Sequence, residues 1–443
     1  MCAYAQNSRK IVRKRTASRQ ASAAKKCLTA GRGGANLTAP MVTLQDVLAA
    51  RDRIRGNVAV TPCPLSEPFS ELCGAQIHFK LENLQRTGSF KERGAANKLA
   101  QLTPEERKRG VVAASAGNHA QGVAYNATRL GVKSVIVMPQ TTPLIKVQAT
   151  RKFGAEVVLC GTVFEDCYAE ARRLEQEKGY VFIHAFDDEA IIAGQGTAAL
   201  EILEQVPDVD VVVASIGGGG WLGGMAVALK AVKPSVRIVG VESAHLPKMT
   251  AAVAAGEPVL IPAATTIADG IAVKRAGAFT LPLFQKYVDE IVTVDDEEVA
   301  NAILLLIERE KTVAEGAGAA PAAALLQKKI GGLTPKSKVV CVISGGNIDV
   351  NLIARIIERG LVKEGRRVQL AVRVPDRPGM LAGLLQSVAA ERANVLEVHH
   401  NRAFMQGPIG DTEIELTLET RGPEHVESLI QVLGSKGWAA VRR

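Results

Sequence analysis

The chain has 443 residues, of which 47% are hydrophobic and only 4% aromatic, which indicates a globular protein with an aliphatic core rather than a disordered one. At about 150 residues per domain the length predicts about three structural units, and no apolar run approaches the roughly 18 residues of a membrane-spanning helix. The net charge of +9 comes from nine basic residues in positions 1–40, where no acidic residue occurs; the 45 basic and 45 acidic residues that follow balance, which argues against a nucleic-acid or membrane partner.

Residues 1–40 are predicted to be a basic, disordered tail. A start placed upstream of the natural one is a related interpretation, because ordered patterning begins at Met41. The composition also resembles that of a transit peptide, although few large apolar residues are available for an amphipathic face. A nucleic-acid-binding arm is the third interpretation. With a tail the expected compartment is the cytoplasm, and with a transit peptide it is the mitochondrion or plastid.

The cysteines do not suggest a disulfide framework, because they are seven in number and form no C-x-x-C pair. Five of them lie in or beside apolar stretches and are predicted to be small buried residues in a reducing compartment: Cys63, Cys73, Cys160, Cys167 and Cys341.

Between residues 76 and 350, short β-branched runs alternate with Ala-rich stretches of helical length. Buried parallel strands are predicted at 110–115, 134–139, 156–160, 209–216, 237–242 and 338–344. Helices are predicted at 95–102, 118–130, 145–153, 164–178, 221–232 and 297–309. This alternation is typical of an α/β fold with an open parallel sheet, in which ligands bind at the carboxyl ends of the strands.

A polar segment at 360–367 marks a boundary, and the pattern changes beyond it. The predicted order is a strand at 368–374, a helix at 378–391, strands at 394–400 and 413–419, a helix at 424–433 and a short final strand. This order indicates a ferredoxin-like α+β unit of about 75 residues, a size that can fold alone.

The first candidate site residue is Lys91, in the segment 87–94 (TGSFKERG) at the start of a helical run. A lysine attacks a carbonyl once burial or neighbouring charges lower its pKa. The alternative is a surface lysine in a charged Lys-Glu-Arg face.

The second candidate is the segment 115–119 (SAGNH), which follows a predicted strand and opens a helix. The N–H groups of a helix start can bind a carboxylate or a phosphate. The alternative is an ordinary capped helix start, with His119 as a surface imidazole whose hydrogen bonds are satisfied.

The third candidate is the run Gly217, Gly218, Gly219 and Gly220 after the strand at 209–216. Successive glycines let backbone N–H groups converge on an anion, and we expect a phosphate there because nothing structural requires four consecutive glycines. The run also contains a formal dinucleotide fingerprint, G-x-G-x-x-G, with Glu242 about 20 residues on, so an NAD-dependent dehydrogenase remains an alternative function.

The fourth candidate is Ser344, whose hydroxyl follows the strand at 338–344 and is expected in the same crevice, although a plain turn is the alternative.

Together the four candidates supply what pyridoxal phosphate needs to act on an amino acid. The segments 89–94 (SFKERG), 115–119 (SAGNH), 217–220 (GGGG) and 344–347 (SGGN) resemble those of the threonine ammonia-lyases, or threonine dehydratases, of the tryptophan-synthase-like fold. The resemblance runs from about residue 42 to 362 and includes the segments 266–273 and 314–319. The segment 376–381 (DRPGML) resembles an ACT domain, an amino-acid-sensing module.

The resemblance implies a domain organisation. Residues 41–362 would form a pyridoxal-phosphate fold type II domain, with two open, mostly parallel sheets flanked by helices and a small subdomain inserted at roughly 95–190. Residues 367–443 would form a ferredoxin-like ACT regulatory domain. Such domains commonly pair between chains, so a homo-oligomer, a dimer or a tetramer, is expected.

The resemblance also implies residue roles. Lys91 would hold pyridoxal 5'-phosphate and, once displaced by the substrate amine, take the Cα proton. The other implied cofactor contacts are Phe90 on the ring, Asn118 on the phenolic oxygen, Gly217 to Gly220 on the phosphate and Ser344 at the pyridine nitrogen. The implied substrate-carboxylate loop consists of Ser115, Gly117, Asn118 and His119.

The implied reaction is conversion of L-threonine to 2-oxobutanoate and ammonia, with side activity on L-serine. It would feed isoleucine biosynthesis and respond to an amino acid at the ACT domain. The alternatives are a serine dehydratase or serine racemase, a dehydrogenase, and an amino-acid sensor without activity.

Two departures from the related racemases bear on these alternatives. Ala116 stands where those enzymes carry a second serine that acts as an acid or base, so racemisation is disfavoured. Lys248 stands where they carry an acid that, with Glu242, binds a divalent cation. A lysine ammonium would repel or replace that ion, so no metal is expected.

Overall fold

The computed structural model describes residues 42–402 and 408–443, so the predictions for residues 1–40 lie outside the described part. The described residues form two compact units, which divide between Asn347 and Ile348. The predicted boundary at 362–367 and the predicted inserted subdomain stay predictions.

The first unit is built from alternating strands and helices. Its described strands are β1 (Leu65–Ser66), β2 (Gln76–Leu81), β3 (Val111–Ala114), β4 (Ser134–Met138), β5 (Glu156–Leu159), β6 (Val181–Phe182), β7 (Val211–Ser215), β8 (Arg237–Ser243), β9 (Glu290–Val294) and β10 (Lys338–Ile343). Its described helices are α1 (Leu44–Ile54), α2 (Glu67–Cys73), α3 (Lys91–Ala100), α4 (Pro104–Arg109), α5 (Asn118–Arg129), α6 (Leu144–Lys152), α7 (Phe164–Lys178), α8 (Glu189–Gln205), α9 (Gly220–Val232), α10 (Lys248–Ala255), α11 (Leu281–Tyr287), α12 (Asp296–Glu310) and α13 (Gly316–Leu326).

The strands of this unit form two sheets. The larger sheet has the order β1-β2-β10-β7-β8-β9 and is parallel except for β1, which pairs antiparallel with β2. The smaller sheet has the order β5-β4-β3-β6 and is parallel throughout. The central strands β3, β4 and β7 are buried along their whole length, because helices cover both faces. This arrangement confirms the predicted fold class of two open, mostly parallel sheets flanked by helices.

The second unit begins with α14 (Val350–Lys363) and continues through β11 (Arg367–Pro375), α15 (Met380–Ala390), β12 (Asn394–Asn401), β13 (Asp411–Glu419), α16 (Pro423–Ser435) and β14 (Ala439–Arg442). Its antiparallel sheet has the order β12-β13-β11-β14, which is the ferredoxin-like order predicted from the sequence. Along β13 buried and half-exposed residues alternate, so one face of the sheet packs on α15 and α16.

Most predicted elements are confirmed within one or two residues at each end. The main error concerns the strand predicted at 156–160 as fully buried: β5 is the edge strand of the smaller sheet and its residues are half-buried or exposed. A short apolar run does not distinguish an edge strand from a central one. The helix predicted at 95–102 begins earlier, at Lys91.

The prediction for the cysteines is only partly correct. All five in the described residues are free thiols, but only Cys167 and Cys341 are buried. Cys63, Cys73 and Cys160 are half-buried. In the described part of the chain, no helix is long and apolar enough to cross a membrane.

Candidate active site

The candidate residues converge because the segments that carry them follow strands of the two sheets or pair with each other. Ser115 follows β3, the glycine run follows β7 and Ser344 follows β10. Ser89 forms an isolated antiparallel bridge with Gly345, and the Phe90 N–H donates to the Ser344 carbonyl over 3.0 Å. This bridge brings the lysine segment beside the end of β10.

Lys91 is the first residue of α3, and its Nζ donates to the carbonyl of Ala185 over 2.6 Å. Removal of the amine from water lowers its pKa to about 8, an effect that the Glu315 carboxylate opposes. Lys91 is half-buried with its amine bonded to a backbone carbonyl, an arrangement that differs from a freely solvated lysine in a charged surface face. A lysine with this pKa is partly neutral, and hence nucleophilic, at the upper end of the physiological pH range.

Phe90 packs its ring on Trp221, with the ring centroids 4.2 Å apart and the planes 28° from parallel. The Trp221 side chain is buried and its indole N–H has no hydrogen-bond partner among the described residues. The pair joins the start of α3 to the start of α9, immediately after the glycine run.

The turn 184–187 connects the lysine to the glycine run, and no motif in the sequence indicated its role. His184 Nδ1 accepts hydrogen bonds from the N–H groups of Phe186 and Asp187, at 3.2 and 2.8 Å, which orders the turn. Ala185 accepts from Lys91, and Asp187 accepts from the backbone N–H groups of Ala278 and Phe279, both at 2.9 Å. The Ala185 contact is made by a backbone carbonyl, which leaves no signal in the sequence. The other four hydrogen bonds are accepted by the side chains of His184 and Asp187, which lie outside the motifs that indicated the site.

The glycine run lies against this turn. A Cβ on Gly218 would lie 2.2 Å from the Phe186 ring, and one on Gly220 would lie 2.4 Å from the Phe186 carbonyl oxygen. Gly219 has φ +102°, and a Cβ there would lie 2.6 Å from Thr280 Oγ1. The expectation that nothing structural requires these glycines is therefore wrong for three of the four. Only Gly217 has an ordinary contact, with the Gly270 carbonyl oxygen 3.5 Å from its ideal Cβ.

A partly buried amide–carboxylate network, centred on the buried Glu315 side chain, lies near Lys91. Asn118 Nδ2 donates to Glu315 Oε1, and Asn347 Nδ2 donates to Asn118 Oδ1, both over 2.7 Å. Burial and the nearby Asp269 carboxylate together raise the pKa of Glu315 to about 7, against the hydrogen bond from Asn118. Glu315 and Asn347 lie in the quoted segments 314–319 and 344–347, but no role was predicted for either.

The segment 115–119 forms the start of α5, with Gly117 as the residue before its first turn. Gly117 has open space where a Cβ would be, and its N–H donates to Ser115 Oγ over 3.2 Å. His119 differs from the surface alternative, because its side chain is buried and Nε2 lies 2.9 Å from the Ile183 carbonyl. Burial lowers the pKa of His119 to about 3, so the ring is neutral and donates from Nε2.

Ser344 is buried at the end of β10, and its Oγ accepts a long hydrogen bond of 3.4 Å from Ser215 Oγ at the end of β7. A hydroxyl that accepts one hydrogen bond keeps its own proton for another partner. The Ser215 contact was not predicted.

Glu242 does not have the free carboxylate that the dinucleotide interpretation requires. It accepts hydrogen bonds from the N–H groups of Met249 and Thr250, at 2.8 and 2.9 Å, and lies 3.3 Å from the buried Lys248 ammonium. A carboxylate committed in this way cannot bind a ribose hydroxyl. Within residues 42–402 and 408–443, no group of three or more His, Cys, Asp or Glu side chains could hold a metal ion.

Comparison with known proteins agrees with this geometry. A family profile described as "Pyridoxal-phosphate dependent enzyme" matches residues 54–345. The L-threonine ammonia-lyase of Thermotoga maritima is 51% identical over 399 residues, which are 90% of this chain and 98% of that protein.

Two solved structures are similar to the chain. The processed form of threonine deaminase isoform 2 from Solanum lycopersicum is 36% identical, with a TM-score of 0.67, and the match covers 71% of this chain and 91% of that one. Maize serine racemase is 33% identical, with a TM-score of 0.69, and the match covers 74% of this chain and 100% of that one.

Proposed function

The chain belongs to the pyridoxal-phosphate dependent enzymes, among which it is a relative of the threonine ammonia-lyases, and we propose that it converts L-threonine to 2-oxobutanoate and ammonia by β-elimination. Its cofactor is pyridoxal 5'-phosphate. The observation that carries the proposal is the contact of one short turn with both the Lys91 amine and the glycine run, which supports binding of a carbonyl and a phosphate of one molecule.

The residues of the site fit this cofactor. Lys91 offers an amine whose pKa is lowered towards neutrality, and Ser344 offers a buried hydroxyl near the strand ends. The start of α9 leaves its first N–H groups without partners inside the helix, a common phosphate-binding arrangement. Gly217 to Gly220 would hold the phosphate there, Phe90 would pack on the ring and Asn118 would bind the phenolic oxygen.

The bound cofactor supplies an electron sink for the charge left at Cα when its proton is removed. In this chain Lys91 is the base that takes that proton, because its amine is partly neutral near pH 8. The Ala185 carbonyl holds the amine in one orientation. A base fixed in this way acts at a single face of Cα.

Ser344 would face the pyridine nitrogen with a neutral hydroxyl. Such a group, unlike a carboxylate, need not stabilise a protonated ring nitrogen, which favours rapid elimination over a long-lived carbanion. Ser215, by donating to Ser344 Oγ, would leave the Ser344 proton directed at that nitrogen.

The substrate carboxylate would bind at the start of α5, where the first-turn N–H groups have no acceptor within the helix. Ser115, Gly117 and Asn118 supply this loop. His119 would contribute through its backbone, because its ring is committed to the Ile183 carbonyl.

Serine dehydration, with or without racemisation, is the second candidate, and the similarity to maize serine racemase favours its consideration. L-Serine carries the same leaving hydroxyl as L-threonine and is proposed as a secondary substrate. Racemisation needs an acid on the opposite face of Cα, and Ala116 supplies none. Lys248 in place of an acid argues against a divalent cation.

The C-terminal unit is proposed to be an ACT regulatory domain, a proposal that its ferredoxin-like topology supports. We expect an amino acid, isoleucine in a biosynthetic enzyme, to bind this domain and change the activity. A homo-oligomer, a dimer or a tetramer, and a cytoplasmic location also remain proposals.

An assay of the purified protein with L-threonine and L-serine tests the proposed reaction. We expect 2-oxobutanoate from L-threonine, less pyruvate from L-serine, and no D-serine by chiral chromatography. D-Serine formation would favour the racemase, and no keto acid from either substrate would overturn the proposed elimination.

A further inference from the structure

Lys248 is a buried charged residue that the proposed reaction does not use. Neither Lys248 nor Glu242 exposes any side-chain surface. Lys248 Nζ donates to the Ile216 carbonyl and to the Ile271 carbonyl over 3.2 Å, and it lies 3.3 Å from Glu242 Oε1, its ion-pair partner. The ammonium is thus surrounded by three oxygen atoms from three separate segments.

The number of oxygen atoms matches the charged form of the lysine. An ammonium has three N–H donors, whereas a neutral amine has two. Burial lowers the pKa of Lys248, and the Glu242 carboxylate opposes that shift in favour of the charged form. Glu242 is itself fixed, since its oxygens accept from Met249 and Thr250 at the start of α10.

A buried ion pair of this kind is weak evidence for a contribution to stability, because desolvation offsets much of the attraction. Its position suggests another role. Ile216 immediately precedes Gly217, and Ile271 follows Gly270, whose carbonyl oxygen lies 3.5 Å from the ideal Cβ of Gly217. The ammonium therefore joins the two backbone segments that flank the first glycine of the run.

We propose that Lys248 is a tethered cation, a positioning residue whose ammonium holds Ile216 against the 269–271 turn and so keeps Gly217 and the loop after it in the form that binds the cofactor phosphate. The inference rests on the proposed function, because the phosphate is that of pyridoxal phosphate. It implies that Lys248→Ala leaves a cavity lined by two carbonyl oxygens and one carboxylate, which a small alkylammonium ion can enter.

The test is a titration of the cofactor-free, full-length protein with pyridoxal phosphate, followed by cofactor absorbance and by quenching of tryptophan fluorescence. We expect Lys248→Ala to weaken cofactor binding about tenfold to a hundredfold, the range for loss of a charge-assisted hydrogen bond. Methylammonium chloride should restore the affinity of Lys248→Ala saturably and leave the wild type unchanged. Tetramethylammonium chloride at the same ionic strength should have no effect, because that ion has no N–H donor.

Lys80→Ala is the matched control. Lys80 is also fully buried and donates to the Thr61 carbonyl and the Glu201 carboxylate, both over 2.6 Å, but has no described contact with the glycine run. Lys80→Ala should lower the melting temperature, and methylammonium should not change its cofactor affinity. A shared response of Lys80→Ala and Lys248→Ala to methylammonium would overturn the proposal.

Lys248→Gln, which keeps polar donors and most of the volume, covers the case in which the alanine variant does not fold; it too should bind the cofactor more weakly. Wild-type affinity for pyridoxal phosphate in either folded variant, or equal effects of the two ammonium salts, would overturn the inference about Lys248 and leave the proposed function standing. A wild-type protein that binds no pyridoxal phosphate would overturn the proposed function together with it.

Discussion

Lys91 and Glu315 both have pKa values displaced towards neutrality, and for the same physical reason. Burial disfavours the charged form of each, so the pKa of the amine falls to about 8 and that of the carboxyl rises to about 7. Each also stabilises the charged form of the other. The result is an amine and a carboxyl that change protonation in the range where an enzyme works.

Glu315→Gln should lower the pKa of Lys91 further, because the carboxylate that favours the ammonium is removed. Incorporation of pyridoxal phosphate into the cofactor-free protein requires the neutral amine, so its rate should rise with pH through a midpoint near 8 in the wild type. The midpoint should lie at lower pH in Glu315→Gln. Stopped-flow absorbance across pH 6–10 measures it, with the exposed Glu257→Gln as control, and an unchanged or higher midpoint would contradict the assignment.

His119 should make the protein sensitive to mild acid. Its folded pKa is about 3 against an ordinary value of 6.5, so the unfolded chain binds a proton first and stability is lost as the pH falls below 6.5. The loss attributable to this residue approaches about 1.4 kcal/mol per pH unit. His119→Gln can keep a donor to Ile183 but does not titrate, so urea unfolding at pH 7, 6 and 5 should show a shallower loss. Parallel losses in the two proteins would show that His119 is not the sensitive group.

At this scale the sequence predicted the chemistry of the site better than its contacts. Lys91, Asn118 and Ser344 were identified from motifs, and the structure brings their segments together. The Ala185 carbonyl and Ser215 were missed, since a backbone acceptor or a lone serine has no distinctive pattern.

Among the elements, the glycine run and the turn 184–187 form one packed unit. Gly218 and Gly220 lie so close to Phe186 that side chains are excluded from both positions. Displacement of Phe186 would also move the Ala185 carbonyl, and with it the Lys91 amine. The packing of this unit and the proposed phosphate binding would therefore depend on the same glycines.

Gly218→Ala and Gly217→Ala should consequently differ. The first places a Cβ 2.2 Å from the Phe186 ring and should cost about 1–3 kcal/mol of stability, whereas the second makes only an ordinary contact and should cost much less. In the double variant, Phe186→Ala should relieve part of the stability lost by Gly218→Ala. The loss in the free energy of unfolding should therefore be smaller than the sum of the two single losses. Denaturant unfolding of the cofactor-free proteins measures these changes in the free energy of unfolding. Equal losses of stability in Gly217→Ala and Gly218→Ala would contradict the packing.

The predicted elements were most accurate where the chain is most regular. The Val-rich runs of β7 and β10 are central parallel strands, as predicted, because helices on both faces demand apolar residues throughout. Strands β1, β2, β6 and β9 were missed; β2 mixes apolar with polar residues such as Gln76 and His78, and β1 and β6 have only two residues each. The exposure of β5 depends on its place at a sheet edge, which only the tertiary fold decides.

For the whole molecule, two findings confirm the resemblance to threonine ammonia-lyases. The family profile matches residues 54–345, and the similarity to the Thermotoga maritima protein covers 90% of the chain. The charge excess belongs to residues 1–40, so the remaining chain is neutral in sum, in keeping with a small zwitterionic substrate. The division into two compact units agrees with the proposal that one unit is catalytic and the C-terminal unit is regulatory.

Deletion of residues 367–443 should abolish any isoleucine effect on activity, because the proposed effector site lies in the C-terminal unit. The full-length protein should show an isoleucine-dependent change in the rate of 2-oxobutanoate formation, and the truncated protein should turn over L-threonine without that change. Isoleucine titration of both proteins measures it. Unchanged kinetics in the full-length protein would refute regulation by isoleucine.

The most direct test of the account is borohydride reduction of the pyridoxal-phosphate-loaded protein, followed by peptide mass spectrometry and by an assay with L-threonine. The account predicts a pyridoxyl group on Lys91 and a loss of 2-oxobutanoate formation in proportion to its incorporation. Modification of another lysine with Lys91 free, or full modification of Lys91 with activity retained, would contradict it.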